Sequence, residues 1–179
     1  RQVIFSQRLK ILKSKNIEEI LDDFLSEVIN NLETVRNIYQ KSNDKKSYLA
    51  SIKNTFGNAI NDEDLISIAS LNKEQFSQKI KNIYLSKKKK RIDMIGVEEN
   101  ISIEKKIFLQ IIDFAWRSHL QYLEQLRQVI GLRSYGQKDP LSEFKKEAFA
   151  LFEGLLEKIK NDLIKFLLNL NIVVSNEEQ

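Results

Sequence analysis

Apolar residues recur every three or four positions along most of the chain, which is the spacing of one face of an α-helix. The clearest stripe begins after Asn16 and predicts a helix that ends near Tyr39. Asn16 lies three positions before Glu19, which is the spacing of a capping box at a helix start. The polar residues 40–46 then predict a loop. The stripe consists of Ile17, Leu21, Phe24, Val28, Leu32 and Val35.

Residues 41 to about 96 have shorter apolar stripes and fewer large apolar side chains than the rest of the chain. The pattern predicts helices over 48–56, 62–69 and 73–85. Asn72 and Gln75 predict a capping box at the start of the last of these helices. We therefore expect a small helical subdomain with a looser core than its surroundings.

The longest pattern runs from Ile103 to Ile130 without Gly or Pro. One stripe holds Phe108, Ile112, Ala115, Leu123, Leu126 and Ile130, and a second stripe beside it holds Ile107, Ile111 and Phe114. Such a wide apolar arc predicts packing against neighbours on more than one side. After a break at 131–140, Asp139 and Pro140 predict the start of another long helix that continues to Leu170. Two long helices joined by a short loop predict an antiparallel hairpin in an all-α fold.

The composition narrows the possible functions. The chain has 179 residues, a formal net charge of +4, one His and no Cys. The lack of Cys excludes disulfides, thiolate zinc sites and Cys nucleophiles. The sequence contains no phosphate-binding loop, dinucleotide fingerprint or His-Glu-x-x-His motif, so we expect no catalytic residue, metal site or cofactor in this chain. No stretch reaches the roughly 18 consecutive apolar residues of a membrane span.

Three groups of residues are candidates for contact with a partner. Lys87, Lys88, Lys89, Lys90 and Arg91 form the densest run of charge. The run could bind an anionic surface, either lipid or nucleic acid. The alternative is a solvated face near the C-terminal end of a helix, where the helix dipole favours cations.

The other two groups lie on the predicted hairpin. Its loop contains Leu132, Arg133, Tyr135, Gln137 and Lys138, which are large side chains for a simple turn and suggest contact with another molecule. Alternatively, the Leu and Tyr of this loop fold back and plug the end of the hairpin. Trp116 and His119 share one helical face and are either core residues or a docking surface.

The residues around this loop resemble a known family. Residues 113–120 read Asp-Phe-Ala-Trp-Arg-Ser-His-Leu, residues 130–140 read Ile-Gly-Leu-Arg-Ser-Tyr-Gly-Gln-Lys-Asp-Pro, and residues 143–149 read Glu-Phe-Lys-Lys-Glu-Ala-Phe. These stretches resemble the C-terminal part of the SecA family, the motor ATPases of bacterial protein export. Residues 1–8 resemble the entry into the family's long scaffold helix. Ser118, Ser134 and Gly136 depart from the family pattern, which has Glu, Gly and Ala there.

The resemblance implies an organisation into a long scaffold helix over 1–40, an inserted helical wing over 41–96, a two-helix finger of the scaffold over 97–171 and a frayed tail over 172–179. It implies that Leu132, Arg133, Tyr135, Gln137 and Lys138 form the fingertip, which touches the translocating chain at the channel mouth. It also implies that Trp116, His119 and Arg127 pack the first finger helix, an element that restrains ATP turnover in the family.

The partners implied by the resemblance are the SecYEG channel, unfolded preprotein, the nucleotide-binding domains of the family and anionic lipid, with no specific nucleic acid. ATP would bind in those nucleotide-binding domains, which the printed sequence lacks, so we expect the chain to be a piece of a longer motor. The implied location is the bacterial cytoplasm, peripheral on the cytoplasmic face of the inner membrane. The alternatives are a non-enzymatic helical adaptor that binds a partner helix, or a binder of an anionic surface.

Overall fold

A computed structural model of the chain describes residues 16–133 and 139–173, apart from the side chain of Arg133. Within these ranges the secondary structure is entirely helical, which confirms the predicted all-α class. The resemblance at residues 1–8 and the predicted frayed tail from 174 onward lie outside the described residues. The helices are α1 (Ile17–Lys41), α2 (Lys45–Phe56), α3 (Asp62–Ala69), α4 (Lys73–Ile95), α5 (Val97–Arg133) and α6 (Pro140–Asn169), with a 3₁₀ turn at Gly57–Ala59.

Three helix starts are fixed by the predicted caps. The Asn16 side chain caps α1 by accepting the backbone N–H of Glu18 at 3.1 Å, rather than that of Glu19 as the predicted capping box requires. A reciprocal capping box closes the start of α4, where Asn72 accepts the N–H of Gln75 at 2.8 Å and Gln75 accepts the N–H of Asn72 at 3.4 Å. Each cap satisfies backbone donors that the first helical turn leaves without a partner.

The start of α6 and the end of α4 are also set by specific residues. Asp139 accepts the N–H of Leu141 at 3.2 Å, which confirms the predicted start of α6 at Pro140. Helix α4 continues ten residues beyond the predicted end at Leu85, through the lysine run to Ile95. It stops at Gly96, whose φ of 87° is a left-handed conformation that favours glycine.

The chain divides into two compact units, and each is described by itself. Among the described residues, unit 1 contains 16–105 and 164–173, and unit 2 contains 106–133 and 139–163. The boundaries of these units differ from those of the scaffold, wing and finger that the resemblance implies. That division of the chain stays a prediction.

Unit 1 has a closed apolar core. Helix α1 packs on α2 and α4, while α3 packs on both α2 and α4. The expectation of a loose core in the middle section is wrong, because its large side chains are buried as completely as those of α1. The buried residues from this section are Tyr48, Ile52, Phe56, Ile60, Ile68, Ala69, Phe76, Ile80 and Tyr84.

Unit 2 consists of the middle and end of α5 with the first four fifths of α6. One face of each helix is buried, and the rings of His119 on α5 and Phe152 on α6 lie 6.1 Å apart. The opposite faces remain open, and Phe114, Tyr122 and Phe149 are exposed. The buried residues are Phe108, Ile112, Ala115, His119 and Ile130 on α5, and Ala148, Leu155, Ile159 and Leu163 on α6.

Candidate functional site

The predicted tip of the hairpin lies where α5 ends and α6 begins. Leu132, in the last turn of α5, is 75% exposed and therefore does not plug the end of the hairpin. Arg133 ends the helix, and its side chain is among the parts not described. Tyr135, Gln137 and Lys138 lie outside the described residues. Contact between this tip and another molecule stays a prediction.

An aromatic cluster surrounds the single histidine of the chain in unit 2. The His119 ring lies 5.5 Å from the Trp116 ring and 6.1 Å from the Phe152 ring, measured between centroids. The His119 side chain is buried, and this burial lowers its pKa because a charged imidazolium loses its hydration. His119, beside Trp116, therefore packs α5 against α6, and a neutral imidazole suits that buried position.

Arg127 does not join this cluster. It lies eight residues beyond His119 on α5, which is about 12 Å of helix rise. Its guanidinium is exposed and forms an ion pair of 3.5 Å with Glu124, one turn earlier on the same helix. An exposed pair of this kind contributes about 0–1 kcal/mol to stability. Restraint of ATP turnover by any of these residues stays a prediction.

The basic run separates into surface and interior positions. Lys89 and Lys90 are exposed, Lys87 is half-buried, and Lys88 forms an ion pair of 3.3 Å with Glu18 of α1. Arg91 is only 3% exposed, so its assignment to an anionic surface is wrong. The helix turns by about 100° per residue, which carries the fifth residue of the run from solvent into the core. Binding of an anionic surface by the four lysines stays a prediction.

The buried guanidinium of Arg91, on α4, forms hydrogen bonds to two other helices of unit 1. Its Nε donates to Asn100 Oδ1 at 3.1 Å, one terminal nitrogen donates to the Leu167 carbonyl at 3.0 Å, and the other donates to Glu104 Oε1 at 3.3 Å. Asn100 Nδ2 also donates to Glu104 Oε1 at 3.0 Å. We call these four residues the Arg91 cluster. It joins the end of α4, the start of α5 and the end of α6.

The Tyr84 side chain is buried near the ion pair of Arg91 and Glu104, and both charges affect the pKa of its phenol. Burial raises the pKa of the Tyr84 phenol, and the negative charge of Glu104 raises it further, while Arg91 acts in the opposite direction. Neither the Tyr84 hydroxyl nor Glu104 Oε2 has a hydrogen-bond partner within the described part of the chain. The phenol therefore remains neutral over the physiological pH range.

Sequence reasoning missed the Arg91 cluster, although two signals were present. Asn100 and Glu104 continue the stripe of Phe108 and Ile112 at intervals of four, so polar residues occupy positions on a buried face. Arg91 likewise follows Tyr84 by seven residues, which is two helical turns. A polar side chain at a core position predicts a buried partner, because an unpaired buried charge is very costly.

A cleft of about 360 Å³ lies between the end of α1, the start of α2 and the end of α3. Arg36, Lys45 and Asp44 line it, and Arg36 is paired with Glu33 at 3.3 Å. These four side chains carry two positive and two negative charges. The cleft therefore has no strong preference for either sign of ligand.

Among residues 16–133 and 139–173, no group of three or more His, Asp or Glu side chains is arranged to hold a metal ion. None of the helices within these ranges combines the length and apolar character that crossing a membrane requires.

Comparison with known proteins identifies relatives over nearly the whole chain. The model of the SecA Wing and Scaffold domain matches residues 1–171. The protein translocase subunit SecA of Pelagibacter ubique (strain HTCC1062) is 44% identical over 178 residues, which cover 99% of this chain and 21% of the relative. The corresponding subunit of Heliobacterium modesticaldum is 31% identical over 182 residues, covering 98% of this chain and 21% of the relative. The chain thus spans about a fifth of the length of the curated relatives that it matches.

Proposed function

Because the chain belongs to the SecA Wing and Scaffold domain family, we propose that it is the helical portion of a protein translocase subunit that transmits motor motion to a preprotein. The motor is the ATP-hydrolysing part of such a subunit. The residues at the end of α5 and in the following loop contact unfolded preprotein at the mouth of the SecYEG channel. The proposed location is the cytoplasmic face of the inner membrane.

The observation that carries this proposal is the match of the family over residues 1–171. The form of the helices supports a mechanical role. Helix α5 has 37 residues, so it is about 55 Å long, and it is continuous from Val97 to Arg133. An uninterrupted hydrogen-bonded helix resists bending, so a push at one end is delivered to the other. Leu132 presents an exposed apolar side chain in the last turn, as contact with unfolded polypeptide requires.

The test replaces Tyr135 in a full-length translocase that carries this segment. We expect Tyr135→Ala to lower the rate of preprotein translocation into membrane vesicles about tenfold, the equivalent of about 1.4 kcal/mol. Binding of ATP should be unchanged. Tyr135→Phe should be much milder, because the ring supplies most of the contact area.

Tyr122 provides the matched control. It is an exposed tyrosine within α5, so Tyr122→Ala removes the same kind of side chain at a position away from the loop. We expect translocation by this variant to stay near the unmodified rate. Equal rates for the Tyr135→Ala and Tyr122→Ala variants would refute a role for the tip.

A second candidate function is binding of an anionic lipid surface by α4. The exposure of Lys89 and Lys90 favours it, as does the exposed apolar side chain of Leu85, one turn before Lys89 on the same helix. Lysines beside apolar side chains suit the interface between lipid head groups and acyl chains. Each lysine near such a surface contributes about 1 kcal/mol.

This candidate is tested with vesicles that contain phosphatidylglycerol. Replacing Lys89 and Lys90 with Gln should weaken binding markedly, and added salt should weaken binding of the unmodified chain. The matched control replaces the exposed neighbours Lys145 and Lys146 with Gln, which changes the net charge equally. If both double variants lose affinity to the same extent, only net charge matters and α4 is not the binding surface.

A further inference from the structure

We propose that Arg91 is a positioning residue that locks the end of α6 in register with the start of α5. In the proposed function, on which this role rests, the lock makes the two helices of the hairpin move together at their base. The three helices that meet at the guanidinium all belong to unit 1 at this point. Arg91 would thereby act on the preprotein through the hairpin rather than by contact.

The geometry of the hydrogen bonds carries this inference. Each of the three nitrogens of the Arg91 guanidinium has its own acceptor, on Asn100, on Glu104 and on the Leu167 carbonyl. The guanidinium is planar and rigid, so its three directions are fixed relative to one another. A slip of α6 by one residue would move the carbonyl by about 1.5 Å along the helix and turn it by about 100°. The hydrogen bond could not survive such a slip.

Apolar packing alone selects the register less strictly. The last turns of α6 bury Ile164, Leu167 and Leu168. Apolar stripes repeat at every turn, so a slip of one full turn, about 5.4 Å, would bury a similar face. The Arg91 cluster distinguishes these two registers, because only in the observed one does the carbonyl opposite the guanidinium belong to the last four residues of α6, which lack a partner within the helix.

The acceptor on α6 lies in the last turn of its helix, where backbone carbonyls need partners from elsewhere. Leu167 is among the last four residues of its helix, whose carbonyls have no partner within the helix. Arg91 supplies the missing donor. A second bond holds the same turn, since Asn169 Nδ2 donates to the Phe56 carbonyl at the end of α2 at 2.9 Å. The end of α6 is therefore tied to α4 and to α2 by hydrogen bonds of defined direction.

A role in register also agrees with the energetics of buried ion pairs. Replacing such a pair with well-packed apolar side chains is often neutral or stabilising, because desolvation offsets the attraction between the charges. Stability alone therefore gives little reason for an Arg and a Glu in this core. Specification of one arrangement over another is the best-supported use of buried polar groups.

The experiment separates register from stability. The triple variant Arg91→Met, Asn100→Leu, Glu104→Leu replaces the cluster with apolar side chains. The chain has no Cys, so Ser102→Cys on α5 and Phe166→Cys on α6 introduce two unique sites for spin labels, both exposed and both in unit 1. Pulsed electron paramagnetic resonance then measures the distance between the two labels.

We expect one narrow distance distribution in the otherwise unmodified chain. In the triple variant we expect a second population, displaced by several ångströms, while helix content and the thermal midpoint are retained. In a full-length translocase the same variant should move less preprotein for each ATP hydrolysed. The matched control removes the exposed ion pair through Arg127→Met and Glu124→Leu, and it should keep the single narrow distribution.

A narrow, unshifted distribution in the triple variant would overturn the proposal, because apolar packing would then suffice to fix the register. Arg91→Lys keeps the test decisive if the triple variant loses its helix content. Lysine retains the charge and most of the stem but lacks the planar fork, so the second population should appear with the helices intact. Its absence would also refute the proposal. The distances are measured without translocation, so their outcome is independent of the Tyr135 test.

Discussion

The two units differ in how completely their helices are buried. In unit 1 each of the helices α1 to α4 packs on two of the others, and Phe76 is fully buried. In unit 2 two helix segments pair, and Phe114 and Phe149 are 67% and 65% exposed. Unit 1 also contains a buried charge pair, whereas the Arg127 to Glu124 pair of unit 2 is exposed.

The difference follows from the number of neighbours that each helix has within its unit. A helix in a pair can bury one face, so large apolar side chains elsewhere on its surface stay in contact with solvent. Exposed apolar side chains in such number are typical of surfaces that bind other proteins. The comparison therefore shows a more enclosed apolar core in unit 1 and a more open apolar surface in unit 2.

The strongest test of this comparison removes one carboxylate from each unit. Glu104→Leu leaves the buried Arg91 charge without its counterion and should lower the free energy of unfolding by about 3–5 kcal/mol. Glu124→Leu breaks the exposed pair and should change it by less than about 0.5 kcal/mol. Urea unfolding followed by circular dichroism measures both. Similar losses would mean that the two ion pairs are equally solvated.

A second test truncates one phenylalanine in each unit. Phe76→Ala opens a cavity in the core of unit 1 and should cost about 3–5 kcal/mol. Phe149→Ala removes an exposed ring and should cost less than about 0.5 kcal/mol. The same urea titrations measure both values. A large loss from Phe149→Ala would show that this ring is packed, contrary to its exposure.

The third test uses pH and the single His of the chain. Burial lowers the pKa of His119, so the folded state binds a proton less readily than the unfolded chain, whose His titrates near pH 6.5. Its contribution to stability is fully present above about pH 6.5 and is lost as the pH falls through the lowered pKa. Unfolding midpoints read from Trp116 fluorescence should therefore decrease from pH 7.5 to 5.5.

His119→Phe keeps a ring between Trp116 and Phe152 and removes the titration. The decrease between pH 7.5 and 5.5 should become shallower in this variant, whatever its absolute stability. Carboxylates titrate mainly below this window, which isolates the contribution of the histidine. Parallel pH profiles for the two proteins would argue that His119 is solvated.

The smallest expected effect comes from a hydroxyl in each unit. Tyr84→Phe removes a buried hydroxyl that has no hydrogen-bond partner, so stability should be unchanged or should rise by about 1 kcal/mol. Tyr122→Phe alters an exposed hydroxyl and should have no measurable effect. Thermal melts of both variants suffice. A clear loss from Tyr84→Phe would indicate that its hydroxyl is bonded after all.

The sequence predicted what depends on local spacing. The all-α class, the caps at Asn16, Asn72 and Asp139 and the long α5 all follow from the apolar period and from the hydrogen-bonding needs of helix ends. Family membership followed from the motif around Trp116 and Pro140. These features are encoded within a few turns of one helix.

What the sequence did not predict depends on contacts between distant segments. The interior position of Arg91 could not be predicted from the basic run, because its acceptors lie nine, thirteen and 76 residues away. The stripe that contains Phe114 predicted packing on a second side, yet that ring is exposed. An apolar stripe states which face prefers burial but not how many neighbours are present to bury it.

The contact between Asn169 and Phe56 joins residues 113 positions apart, and it has a consequence for biosynthesis. A ribosome releases the chain in order, so the helices over residues 17–95 emerge well before the turn that completes their interior. At ordinary synthesis rates that interval lasts several seconds. During it the nascent core lacks Ile164, Leu167 and Leu168 and offers chaperones an apolar opening that closes when α6 arrives.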